Sequence, residues 1–186
     1  MALKTSSGPG SDLQKIVNEI AQPEAKAIIY FFSPKLEATG LHAKIKREFP
    51  KAVCVGASMI GGWSTGGAVE EGIVAMSLGP DEVEETYVAF GEGVKADPER
   101  AAKRAISELK SSLKGQRPFP DRYVGIILFD GLCLGERIIS AFTTEKDFMI
   151  PFVGGAAADN LEFKKTLVAC DDRMSSDGLV ALVLKM

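Results

Sequence analysis

The spacing of hydrophobic and polar residues divides the chain into short apolar runs and amphipathic segments. Residues 13–20 are apolar at helical spacing and predict a helix that ends before Pro23. Residues 27–32 form a run of isoleucine and aromatic side chains, which is typical of a buried strand. A second helix is predicted over 36–49 and a second strand over 52–57, so this part of the chain indicates a βαβ unit with parallel strands.

The rest of the chain continues in short elements. Two apolar runs, 73–78 and 83–90, flank Gly79-Pro80-Asp81 and predict an antiparallel hairpin. The segment from Ile60 to Gly67 is too rich in glycine for regular structure. Further helices are predicted over 98–113 and 134–142, and further strands over 123–129, 151–157, 165–170 and 179–184.

An internal repeat is the most informative pattern. Residues 27–31 align with 125–129, and 55–57 align with 153–155, both at an offset of 98 positions; a third match, of 72–76 with 178–182, has an offset of 106. We therefore predict an α/β fold with mixed sheets from two duplicated βαβ-containing halves packed as one domain. The alternative is that the matches arise by chance, because buried strands of α/β proteins use similar apolar residues. The predicted divisions are a disordered N-terminus at 1–10, a single domain at 11–186, and halves at about 24–115 and 120–186.

Composition narrows the functional classes. The net charge of −3 and the pI of about 5.3 argue against a protein that binds nucleic acid or an anionic membrane, because such proteins usually carry an excess of positive charge. No apolar run reaches the roughly 20 residues that span a bilayer, and the N-terminus lacks a secretory signal pattern, so a cytoplasmic protein is expected. Cys54, Cys133 and Cys170 are widely spaced and are expected to be buried, reduced thiols.

Glycines and short polar residues follow the predicted parallel strands. Ligands of open α/β sheets bind beyond the carboxyl ends of such strands, so we expect a cleft where the halves meet. Backbone amides and hydroxyls there suit a carboxylate, and an aspartate suits an ammonium group, which together favour a small polar ligand such as an amino acid. The alternative is that the glycines form tight turns and Asp130 caps a helix. The predicted ligand-binding residues are Ser33, Gly56, Ser58, Ser64, Thr65, Gly66, Asp130, Gly131, Gly154, Gly155, Asp159 and Asn160.

The second half resembles the closing part of the FIST N-terminal domain. Residues 127–132 are an apolar strand ending in Asp-Gly, 153–160 carry Gly-Gly-Ala-Ala followed by an acidic residue, and 178–182 are a final apolar strand after a glycine. In the first half, 55–58 and 64–66 resemble the family's Gly-x-Ser/Thr-Thr-x-Gly segment, although residues 59–63 separate the two parts. The resemblance implies an intracellular sensory module for small ligands, with a C-terminal FIST domain or a signalling protein in trans as partner.

Other functions are less well supported by the sequence. His42, the only histidine, is expected to be solvated on a charged helix, which argues against histidine-based catalysis or metal binding. A hydrolase or transferase using Cys133 or Ser58 is the second hypothesis, and an assembly module without a ligand is the third. No catalytic residue, metal or cofactor is predicted. The final strand runs to Met186, so a homodimer through its edge is a further possibility.

Overall fold

Twelve strands and four α-helices form the part of the chain that the computed structural model describes, residues 3–64, 66–116 and 118–186. The helices are α1 (Leu13–Ile20), α2 (Leu41–Glu48), α3 (Pro98–Ser112) and α4 (Gly135–Thr144). The strands are β1 (Leu3–Gly8), β2 (Ala27–Phe32), β3 (Val53–Ser58), β4 (Gly62–Ser64), β5 (Gly67–Val69), β6 (Ile73–Leu78), β7 (Glu85–Glu92), β8 (Tyr123–Phe129), β9 (Phe152–Ala156), β10 (Val168–Cys170), β11 (Arg173–Ser175) and β12 (Gly178–Lys185).

Two mixed sheets carry the fold. The first sheet has the order β1-β6-β2-β3-β10-β11, and within it only β2 and β3 are parallel. The second sheet has the order β7-β12-β8-β9, and within it only β8 and β9 are parallel. These sheets confirm the predicted α/β class with mixed strands.

The two sheets stack face to face, and helices cover their outer faces. Along β2, Ala27 and Ile29 pack between the sheets, whereas Ile28 and Tyr30 pack in the cluster that holds α1 and α2. The second sheet is arranged in the same way with α3 and α4 on its outer face. Because successive side chains of a strand point to opposite faces and both faces are buried, these strands are continuously apolar in sequence.

Corresponding parts of the two sheets share one topology. β6-β2-β3 and β12-β8-β9 have the same order, each with an antiparallel pair followed by a parallel pair. β1 and α1 precede one set in the chain as β7 and α3 precede the other. β7 and α3 lie with the second sheet, although the predicted first half, 24–115, contains them. Duplication of the chain stays a hypothesis.

Three local predictions are wrong. β6 and β7 do not form a hairpin, because β6 is paired on both edges, with β1 and β2, and β7 crosses to the second sheet. Residues 3–8 are not a loose terminus, since their backbone pairs with β6 from Leu3 opposite Leu78 to Gly8 opposite Ile73. Backbone hydrogen bonding of this kind does not require apolar side chains. The glycine-rich segment likewise forms the β4–β5 hairpin rather than an irregular loop.

The chain's last strand is central rather than peripheral. β12 pairs with β7 on one side and β8 on the other, so it offers no free edge to a second copy. None of the helices in the described ranges is long and apolar enough to cross a membrane.

Candidate functional site

The carboxyl ends of the two parallel strand pairs adjoin at Ser58. Its backbone N–H donates to Leu167 O at 2.9 Å, and its carbonyl accepts a hydrogen bond from Ala158 N at 2.9 Å. Its Oγ accepts from Leu167 N, also at 2.9 Å. The bonds to Leu167 lie within the first sheet, because Leu167 precedes β10. Since Ser58 ends β3 and Ala158 follows β9, the bond from Ala158 joins the two sheets where the sequence predicts that the halves meet.

Asp130, which follows β8, is fully buried beside Ser58's partners. Its Oδ1 accepts hydrogen bonds from Leu132 N at 2.9 Å and from Thr166 Oγ1 at 2.5 Å. Thr166 Oγ1 in turn accepts from Gly131 N at 2.9 Å, and Lys95 Nζ lies 3.1 Å from Asp130 Oδ2. Oδ1 is therefore hydrogen-bonded within the protein, whereas Oδ2 forms no hydrogen bond with the described residues and contacts them through the ion pair with Lys95. We call Ser58, Asp130, Gly131, Thr166 and Leu167 the strand-end network.

Asp159 organises the loop after β9. Its carboxylate accepts hydrogen bonds from the backbone N–H groups of Phe163 (3.0 Å), Lys164 (2.6 Å) and Lys165 (2.9 Å). These bonds, that of Lys165 foremost, lower the pKa of Asp159. They also hold a turn in which Asn160 and Phe163 have φ of +61° and +55°. The carboxylate thus stabilises the conformation of the loop that contains it.

A cleft of about 550 Å³ opens between the two sheets next to the strand-end network. We call it the inter-sheet cleft. Its walls are almost entirely apolar, and Ser58 supplies their one polar side chain within the described part of the chain. The first sheet and the loop after β3 contribute Ile29, Phe31, Ala57, Ser58, Met59, Ile60, Gly61 and Met76; the second sheet and the residues after it contribute Ile126, Leu128, Val153, Gly154, Gly155, Ala156 and Ala158.

Gly155 leaves part of this cleft empty. It lies opposite Leu128 in the parallel pair, and Leu128 packs between the sheets, so both residues face the cleft. A Cβ at Gly155 would have nothing within 4 Å, whereas one at Gly154 would lie 1.8 Å from Ile127 O. Gly154 also has a φ of +150°, which only glycine adopts readily. A side chain at Gly154 would thus prevent close packing against β8. A side chain at Gly155 would instead project into the cleft and reduce its volume.

Two other predicted residues lie away from the cleft lining. Ser33 is buried at the end of β2, where its N–H donates to Gly72 O at 2.8 Å and its Oγ has no partner among the described residues. Gly56 faces the helices, and a Cβ there would lie 2.6 Å from Cε2 of Tyr30. Gly56 therefore accommodates an aromatic ring of the core.

Ser64 ends β4 and Gly66 lies in the turn that leads to β5. Ser64 Oγ is 2.7 Å from Ser7 Oγ and accepts a hydrogen bond from Gly66 N at 3.1 Å. Gly66 is exposed at the turn, and Thr65 lies outside the described residues. The hairpin also carries Trp63, whose side chain is 81% exposed. Of the predicted ligand-binding residues that the structure describes, only Ser58, Gly154 and Gly155 lie in the cleft wall.

Sequence reasoning missed the apolar residues that form most of the wall. In sequence they are ordinary strand residues, and nothing distinguishes those that face a cavity from those that face a packed core. Met59 and Ile60 are the exception, because they are apolar residues beside a glycine-rich segment. The missed residues are Ile29, Phe31, Ala57, Met59, Ile60, Gly61, Met76, Ile126, Leu128, Val153, Ala156 and Ala158.

The groups considered for catalysis have unfavourable surroundings. Burial, followed by the charge of Asp130, raises the pKa of the Cys133 thiol to about 11, so the thiol is protonated at neutral pH. Burial also raises the pKa values of Cys54 and Cys170 to about 12. The Ser58 hydroxyl is engaged by Leu167, and His42 lies half-buried on α2. Within the described ranges, no group of three or more histidine, cysteine or acidic residues is placed to hold a metal ion.

Comparison with known proteins identifies the family. The family model described as the FIST N domain matches residues 26–186, which is nearly the whole chain. No curated protein matches the sequence. The family is one of sensory domains implicated in signal transduction and is not known as an enzyme family. Because this match includes every strand of the two sheets except β1, and all the cleft walls, the chain belongs to the FIST N domain family.

Proposed function

We propose that this domain senses a small ligand whose apolar body binds in the inter-sheet cleft. The observation that carries the proposal is a cavity of about 550 Å³ whose walls come from both sheets. Small-molecule sites usually enclose about 300–1,000 Å³ and are lined mainly by apolar side chains with a few polar groups. A cytoplasmic location belongs to the proposal as well, and the family resemblance implies it.

The lining favours an apolar or amphipathic ligand over a strongly polar one. A zwitterion needs both an acceptor for its ammonium group and donors for its carboxylate. Asp130 and Asp159, the acceptors suggested by the sequence, are bonded to protein groups instead. Among amino acids, one with a long aliphatic or aromatic side chain would suit the cleft best.

Signalling would follow from the position of the cleft. A ligand that contacts both sheets favours the arrangement of the walls that fits it best, and this shifts the population of conformers. Met59, Ile60 and Gly61 lie in the wall and lead directly into the β4–β5 hairpin. We therefore expect ligand binding to change the environment of Trp63, the only tryptophan, and hence its fluorescence.

The test combines a ligand screen with a variant that fills the cleft. Fatty acids, indole and the free amino acids are screened by thermal shift, and hits are measured by calorimetry. A ligand present at about 100 times its Kd raises the free energy of unfolding by about 2.7 kcal/mol. Gly155→Leu is expected to abolish this binding, because the new side chain enters open space facing the cleft.

Gly66→Leu is the matched control, since it adds the same side chain at an exposed turn. It is expected to leave ligand affinity unchanged. A ligand that binds Gly155→Leu as tightly as the original protein would place its site elsewhere and contradict the proposal.

A further inference from the structure

Among the residues that the structure describes, the second sheet has no strand at the position that β10 occupies in the first. In the first sheet, β10 pairs antiparallel with β3, with Ala169 opposite Gly56 and Val168 opposite Ala57. β9 holds the place in the second sheet that β3 holds in the first, but it pairs only with β8 among the described residues. Its outer edge is therefore open.

The backbone of β9 presents hydrogen-bonding groups along this edge. Pro151 O accepts a hydrogen bond from Gly125 N, and Ala157 N donates to Phe129 O, each at 2.8 Å, so both groups point toward β8. Alternate residues of a strand direct their N–H and C=O groups to opposite sides. Gly154 and Ala156 therefore direct theirs away from β8, as an arriving strand requires.

Side chains near the edge of β9 are more exposed to solvent than the side chains at the repeat-related positions of the other sheet. Val153 is 60% exposed, whereas Val55, which lies 98 positions earlier, is fully buried under the more complete first sheet. Met76 on β6 is half-buried, whereas Leu182, which lies 106 positions later on β12, is fully buried. β10 contacts β12 across the sheets, so the vacant position in the second sheet lies correspondingly toward β6.

Cavities lie on both faces of the open edge. One is the inter-sheet cleft, and the other is a groove of about 150 Å³ against α4, lined in part by Ile139 and Phe142. Both are bounded by residues 153–155. Alternate side chains of one added strand would enter the two cavities, just as Val168 of β10 faces the space between the sheets and Ala169 faces the helices.

We propose that an extended segment of a partner polypeptide, apolar on both faces, adds to the free edge of β9 as an antiparallel strand. Backbone hydrogen bonds to residues such as Gly154 provide the attachment, and small apolar side chains entering the cleft and the α4 groove provide selectivity. β10 is the template for this segment, since it already occupies the equivalent position in the first sheet. The interaction does not depend on the small ligand proposed above.

The test uses a synthetic peptide with the sequence of residues 165–171, bearing Cys170→Ser to prevent oxidation, and no small ligand. Amide hydrogen exchange of the whole domain is followed by NMR with the peptide at about 1 mM, a concentration suited to a weak complex. Docking is expected to slow exchange of the Gly154 and Ala156 amides by about tenfold or more, because these are the amides that gain partners. A small molecule in the cleft would not single out this alternating pair.

Matched variants separate docking from unspecific effects. The same peptide with Ala169→Pro lacks the central N–H donor and is expected to give no protection. In the domain, Val153→Lys places a charge beneath the docked strand and is expected to abolish protection, whereas Leu3→Lys, on the far edge of the first sheet, is expected to preserve it. Circular dichroism confirms that both variants are folded.

Two outcomes would overturn the proposal. One is unchanged exchange at Gly154 and Ala156 with the unmodified peptide. The other is protection of these amides without peptide that increases with protein concentration and accompanies dimerisation in sedimentation, which would make a second copy of the chain the occupant. Failure of the ligand screen would leave the peptide result intact, so the two proposals are tested separately.

Discussion

The strand-end network and the inter-sheet cleft are neighbours that share Ser58, yet they differ in almost every property. The network is internally hydrogen-bonded, with the buried polar residues Asp130 and Thr166 at its centre. The cleft is a cavity of about 550 Å³ with apolar walls. The difference teaches that polar residues at strand ends can serve to join two sheets, while the space for a ligand arises beside them.

The largest effect is expected from Asp130→Ala. The substitution leaves Leu132 N and the Thr166 hydroxyl without their acceptor in a buried site and should lower the free energy of unfolding by about 3 kcal/mol. Urea unfolding measures the loss. Asp130→Asn retains one oxygen acceptor and should cost less.

The same variant checks whether the two regions are separate. Ligand affinity of the folded Asp130→Ala protein should stay within about twofold, a free-energy change below about 0.5 kcal/mol. A large loss of affinity without a loss of stability would show that Asp130 belongs to the ligand site after all.

A smaller effect is expected from Ser58→Ala, which tests the residue that the two regions share. The change removes the acceptor of Leu167 N and should cost about 1–2 kcal/mol in free energy of unfolding. Because that hydroxyl is already engaged, ligand affinity measured by calorimetry should hardly change. Ser140→Ala, at an exposed position of α4, is the control and should be nearly neutral.

The smallest effect concerns Asp159, whose contribution to stability is present at neutral pH and is lost only in acid. Its folded pKa lies below the unfolded value of about 3.9, so its ionised form stabilises the fold above that pH, and this contribution is lost as the pH falls through the folded pKa. The difference in melting temperature between the original protein and Asp159→Asn should therefore shrink on acidification. Thermal unfolding between about pH 7 and pH 3 tests this. A difference that does not vary with pH would show that ionisation of Asp159 is not what stabilises the loop.

The local elements were largely predictable. The runs at 27–32 and 123–129 become β2 and β8 with the predicted bounds, because a continuous apolar run suits a strand buried on both faces. β1 was not predictable, because its pairing with β6 uses backbone groups that every sequence provides. The supposed hairpin failed for a related reason: the partner of a strand is chosen by the whole sheet, not by the turn beside it.

The candidate site was predictable only in part. Ser58, Gly154 and Gly155 were found because ligands of α/β sheets gather at strand ends. Met76 and Ile126 were not, since facing a cavity rather than a packed neighbour depends on how two sheets stack. Asp130 and Asp159 lie outside the cleft wall, and the sequence could not place them there or elsewhere, because a carboxylate that bonds backbone groups and one that faces a cavity are the same residue in sequence.

The sequence by itself determined the apolar periodicity, the strand ends and the membership in the FIST N domain family, since each depends on the order of residues along the chain. The tertiary structure alone decided which strand edges are covered and where space remains between the sheets. Whether a strand edge is covered and where a cavity remains depend on contacts between residues far apart in the chain. A pattern of neighbouring residues does not predict these contacts.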